Sequence, residues 1–140
     1  MRRKNIVAMA MFALLVGLSS CKKAVEEAKE DFVVNLIVNN LWQVTNFTEG
    51  PDNITGQFAD YEFKFNRDLT VFGRKPGQPD AAGTWKGDAG AMTITSAFPT
   101  GPAPLTKLTG VWNITRTTLS SVRATRTESG TVLNLELQKK

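Results

Sequence analysis

The sequence predicts an all-β fold, a small antiparallel barrel or sandwich, behind an N-terminal segment of a different kind. Two observations carry this. From Leu41 onward apolar residues recur at every second position in short runs, the spacing of strands with one buried face. Turn-forming groups such as Asn66-Arg67-Asp68 and Glu128-Ser129-Gly130 stand between the runs, and evenly spaced short strands joined by turns build a closed or doubled sheet.

The N-terminal segment opens with a cationic stretch, Met1-Arg2-Arg3-Lys4-Asn5, followed by an uncharged run from Ile6 to Leu18 and small residues at Ser19 and Ser20. That is the layout of a secretory leader. A permanent span needs roughly 20 apolar residues, more than this run supplies. Leu18-Ser19-Ser20-Cys21 resembles the lipobox of bacterial lipoproteins. The resemblance implies a diacylglyceryl group on the Cys21 sulfur, removal of residues 1–20 and a further acyl chain on the new amino terminus. One chain holds a protein marginally, whereas two or more anchor it. The alternative is a plain secretory leader followed by an incidental or buried thiol. Lys22 stands where enteric-type lipoproteins carry an aspartate as their inner-membrane retention signal. The expected location is therefore the outer membrane, on the cell surface or the periplasmic leaflet.

The whole chain carries a formal charge of +4, and Arg2, Arg3 and Lys4 leave with the leader, so three fewer cations bring the remainder to +1. No basic domain remains, and no nucleic-acid partner is expected. Cys21 is the single cysteine, so stability must come from packing and not from an internal disulfide.

Next comes "KKAVEEAKEDFVVNLIVNN". Val25, Ala28, Phe32, Leu36 and Ile37 recur at three- and four-residue spacing, one stripe of a helix over 23–39 that Asn39-Asn40 can end. The β-branched Val33, Val34, Ile37 and Val38 argue for strand. The helix is expected to serve as a spacer and as a plug packed on the domain rather than to lie on a membrane, because its first two turns are mostly acidic.

Eight strands follow, beginning with "LWQVTNFTE". "YEFKF" places Tyr61, Phe63 and Phe65 on one face and Glu62 and Lys64 on the other, and "LTVFGRK" returns as its hairpin partner. "AGTWKG" and "AMTITSAF" form a second hairpin. "TGVWNITRTT", "SSVRATRT" and "TVLNLELQK" complete the set. The three prolines of "FPTGPAPL", Phe98 to Leu105, predict an extended crossover there. Trp42, Trp85 and Trp112 each stand near a strand start.

In this order the motifs resemble the lipocalin-like outer-membrane lipoproteins of Gram-negative bacteria, over nearly the whole chain after the leader. The resemblance rests on the lipobox, the helix, Trp42, Asp52 with Thr55 and Phe58, and Tyr61-x-Phe63-x-Phe65-Asn66. It continues through Gly83-Thr84-Trp85, Leu108 and Trp112 to "LNLELQK". It implies an eight-stranded antiparallel up-and-down, lipocalin-like barrel, or a flattened barrel, with a short N-terminal helix. The chain divides into a removed leader (1–20), a lipidated tether and helix (21–40) and the barrel domain (41–140). Family members carry Asp-Gly-Thr in the first hairpin, where this chain has Asp68-Leu69-Thr70.

The chain has no histidine, which removes Ser-His-Asp and Cys-His nucleophile systems and imidazole metal sites. It has no phosphate-cradling glycine loop and no EF-hand spacing. Asp60 and Glu62 share a strand face with Lys64, which reads as a solvated charged face. No enzyme activity, cofactor or metal is expected. The candidate ligand-lining residues are Phe63, Phe65, Val71, Trp85, Ile94 and Trp112, all directed inward. In a hollow barrel they line a cup for a small hydrophobic ligand, and in a short-stranded one they fill the core. The expected function is that of a membrane-anchored lipoprotein, joined to the membrane through the acyl chains on Cys21. It either binds an apolar or amphipathic molecule in the barrel or docks a protein or glycan with a filled core.

Overall fold

The structure is a computed structural model, described for residues 4–140 and for side chains from Cys21 onward. Helix α1 (Lys4–Val38) leads into nine strands: β1 (Leu41–Glu49), β2 (Asp52–Asn53), β3 (Glu62–Phe65), β4 (Thr70–Arg74), β5 (Ala81–Asp88), β6 (Thr93–Ala97), β7 (Gly110–Thr117), β8 (Ser121–Glu128) and β9 (Thr131–Lys139). A 3-10 turn (Thr55–Phe58) precedes β3, and a one-turn helix α2 (Ala103–Thr106) precedes β7. Each strand from β3 to β8 pairs antiparallel with the next; β1 pairs with both β3 and β9 and closes the sheet. The two-residue β2 is a stub on β1, so the barrel has eight strands in up-and-down order, as the sequence predicts. Closure leaves no unpaired edge to seed aggregation.

The β1–β9 seam runs from Trp42 opposite Lys139 to Glu49 opposite Leu133, with a bulge between Val44 and Asn46. A second bulge lies between Ile114 and Arg116 in β7. Such bulges bend strands around a barrel. An eight-stranded barrel is just wide enough for side chains to fill, and this one is filled mainly by aromatics. Phe47 stacks on Phe58 at 5.0 Å and meets Trp112 edge-on at 5.8 Å; Phe65 meets Trp85 edge-on at 5.4 Å. Each tryptophan N–H donates to a backbone carbonyl: Trp42 to Ile37, Trp85 to Asn66 and Trp112 to Leu108, each at 2.9 Å. The indoles are thus buried without an orphaned donor.

Two expectations need correction. The segment from Phe98 to Leu105 is not merely an extended crossover: it contains α2, which carries the fully buried Leu105 into the end of the barrel. Pro102 is the N-cap and Pro104 lies in the first turn, where a missing N–H costs nothing, so these prolines start a helix. Glycines on the facing strands make the room. A Cβ at Gly73 would stand 2.8 Å from Leu105, and one at Gly83 would stand 2.5 Å from the Ala97 carbonyl and 2.8 Å from the Phe98 ring.

The second correction concerns α1. It contains the predicted helix, ending at Val38, and continues back to Lys4 through the residues read as the leader. The predicted stripe is buried only at its C-terminal end: Val25 and Phe32 are 54% and 61% exposed, whereas Ile37 is 4% exposed. The residues that pack are Val33, Val34, Ile37 and Val38, with Ile37 and Val38 fully enclosed. The β-branched residues that argued for strand make contact because only the last turns of α1 meet the barrel.

The antiparallel order gives the barrel two ends. The turns β3–β4, β5–β6 and β7–β8 lie at the end covered by α1, and α2 lies at the other.

Candidate functional site

At the covered end, α1 is held by its own unpaired carbonyls. The last C=O groups of a helix lack intrahelical partners. Here Leu36 receives the Asn40 side-chain amide at 2.7 Å, Ile37 receives the Trp42 indole, and Val38 receives the Lys64 ammonium at 2.7 Å. The Arg67 guanidinium meets the Asn35 side chain on the flank. Lys64 is therefore a half-buried helix cap and not part of a solvated face. Glu62, beside it, pairs with Lys140.

Beneath α1 lies an apolar space of about 40 Å³. Phe63, Phe65, Ile94 and Trp112 line it; Ile94 is only partly buried. Val71 and Trp85 do not line it. Val71 is fully buried in the wall beside Gly83, and Trp85 is spent on Phe65 and the Asn66 carbonyl. The interior reading missed Trp42, Ile37 and Phe98, which also line the space. Trp42, near the start of β1, occupies its inward parity together with Val44. Ser96 is the one polar lining residue, and its hydroxyl already donates to the Leu108 carbonyl. Drug-sized ligands occupy about 300–1,000 Å³, and an ordered water needs two to four polar partners. At about 40 Å³ the space is far smaller than such a ligand, and its apolar lining offers a water too few partners.

The opposite end is sealed by Arg126. Its guanidinium lies 5.0 Å over the Trp112 ring, with one amino group on the Thr109 carbonyl and the other 3.2 Å from the Lys107 carbonyl and 2.9 Å from Glu128. A Cβ at Gly110, whose φ is +141°, would collide with it. Lys107 then ties α2 to β1 through Glu49, 2.7 Å away. Arg126 was not singled out in the sequence, where it sits among the alternating threonines and arginines of β8.

Outside the barrel, Cys21 is free and exposed on α1. Among the described residues, no three His, Cys, Asp or Glu side chains stand close enough to share a metal ion, and no helix is long and apolar enough to cross a membrane. In the first hairpin, the Asp68 carboxylate accepts the Thr70 hydroxyl at 2.6 Å and the Thr70 backbone N–H at 3.1 Å. These bonds, the hydroxyl first, hold its pKa below the ordinary value. Leu69 occupies the left-handed position, φ +67°, that a glycine would fill.

No family model and no curated protein matches the chain. Among solved structures, it is similar to a DUF4847 family protein from Bacteroides vulgatus. The TM-score is 0.55 over 76% of this chain and 96% of that one, at 13% identity. At that identity the likeness speaks for the barrel fold and for nothing that the barrel does.

Proposed function

We propose that this chain is a lipid-anchored, lipocalin-like lipoprotein of the outer membrane. It is held there by acyl chains on Cys21, and its filled barrel is a non-enzymatic docking scaffold rather than a cup. The observation that carries this reading is the interior: about 40 Å³ of free space, with Ile37 of α1 against it, in a barrel whose other end is packed by Arg126 and Leu105 of α2. The exposure of Cys21 on α1, outside the packed barrel, supports the anchor by leaving its sulfur open to acylation. A second reading, carriage of a small apolar ligand, is favoured by the apolar lining under the last turn of α1. It requires Ile37 to leave the barrel.

Native mass spectrometry of residues 22–140 separates the two. A single unadorned mass supports the filled scaffold. A small molecule that co-purifies at defined stoichiometry overturns it in favour of the carrier.

A further inference from the structure

Seven large apolar side chains are exposed among the described residues, and five of them gather at the end covered by α1: Val25, Phe32, Leu69, Met92 and Leu119. The last three occupy the tips of β3–β4, β5–β6 and β7–β8, one on every turn at that end. The turns at the other end are built from ordinary turn residues, such as Gly50-Pro51, Pro76-Gly77 and Ser129-Gly130. Leu69 and Met92 also hold positive φ, +67° and +53°, a conformation that glycine or asparagine adopts more easily. A bulky apolar residue that is both exposed and strained serves neither turn geometry nor burial, and such outliers point to a functional contact.

The helix supplies the direction. At 3.6 residues per turn, Cys21, Val25, Ala28, Phe32 and Leu36 fall on one stripe, while Glu26, Glu27, Glu30 and Asp31 fall off it. Grooves of about 370 and 400 Å³ join this stripe to Met92 and Leu119. On the barrel at this end, Arg67, Arg116, Lys139 and Lys86 are exposed against Asp68 and Asp88, while Lys140 is paired with Glu62; on α1, Lys22, Lys23 and Lys29 stand beside the four acids.

We propose that this end of the barrel docks on an anionic lipid bilayer. The three turn tips and the Cys21 stripe enter the interface and the flanking cations meet headgroups, as in interfacial helices. The inference rests on the proposed membrane anchor, since the acyl chains of Cys21 would leave from the same stripe. Docking turns a swinging tether into a fixed orientation and presents the α2 end away from the membrane.

The test uses the full chain, purified from membranes and reconstituted in phosphatidylethanolamine–phosphatidylglycerol vesicles with or without dibrominated acyl chains. Tryptophan is introduced in Met92→Trp, Leu119→Trp and, at the opposite end, Val111→Trp. The native tryptophans are all buried and provide the parent signal to subtract. Each variant is first required to unfold at the parent's denaturant midpoint. Brominated lipid is expected to cut the added emission at 92 and 119 roughly twofold or more and to leave that at 111 unchanged. No quenching at either tip, or equal quenching at 111, overturns the proposal. So does a blue shift without quenching, which would mean that a protein covers the tips. The readout does not depend on what holds Cys21, and palmitate labelling tests the anchor separately.

Discussion

The Arg126 guanidinium lies 5.0 Å above the Trp112 ring, while the Trp112 N–H and the Arg126 amino groups bind carbonyls of the same short segment, Lys107 to Thr109. One cation thus closes the end of an apolar barrel and ties β7 and β8 to the connection that holds α2. Its Nε is buried without a partner, so part of its contribution is lost to desolvation. Arg126→Met is expected to cost about 2 kcal/mol, from the lost stacking and charged hydrogen bonds. Arg126→Lys should recover little, because an ammonium cannot stack and reach two carbonyls at once. Denaturant unfolding checks both, and full recovery by lysine would contradict the stacked geometry.

Cys21→Ala is expected to abolish incorporation of radiolabelled palmitate and to leave the leader uncut. Equal labelling of variant and parent would sink the anchor.

Leu69→Gly should stabilise the first hairpin. A left-handed conformation costs a non-glycine residue about 1–2 kcal/mol, and glycine loses about 0.5–1 kcal/mol more in chain entropy. The expected net gain is roughly 0.5–1 kcal/mol by thermal or denaturant unfolding. The side chain is 47% exposed and forfeits little contact. A loss of stability would show that Leu69 packs in solution.

Asp68 gives a pH signature. Its carboxyl is held below the ordinary value of 3.8, first by the Thr70 hydroxyl and then by the Thr70 N–H. A lowered pKa adds stability that is present above the unfolded value and is lost as pH falls through the folded value. Thr70→Val keeps the backbone bond and should move the Asp68 titration, read by NMR at the carboxyl carbon, upward toward 3.8. An unmoved titration would contradict the hydroxyl's role.

The strands were legible because one buried face imposes period two, and all eight runs from Leu41 to Lys139 reappear as barrel strands. The interior was half legible. Phe63, Phe65, Ile94 and Trp112 were found by parity, but the residues that close the ends were not. Leu105 was hidden behind prolines that read as breakers and act as helix starters. The helical stripe was right at Ile37 and wrong at Val25 and Phe32, because only the last turns of α1 meet the barrel while the whole stripe keeps one periodicity. Lys64 alternates like a solvated residue, and only the nearby Val38 carbonyl makes it a cap.

The barrel is packed and not hollow. Phe63 decides it most directly: it is 1% exposed, faces Phe98 at 6.2 Å and lines the small space beneath α1. In denaturant unfolding of residues 22–140, Phe63→Ala is expected to cost about 3–5 kcal/mol, as for a large ring cut from a packed core. The exposed Lys86→Ala should stay within about 0.5 kcal/mol. A loss of only about 1 kcal/mol at Phe63, well short of a packed ring's cost, would mean that the ring faces open space and that the barrel is a cup.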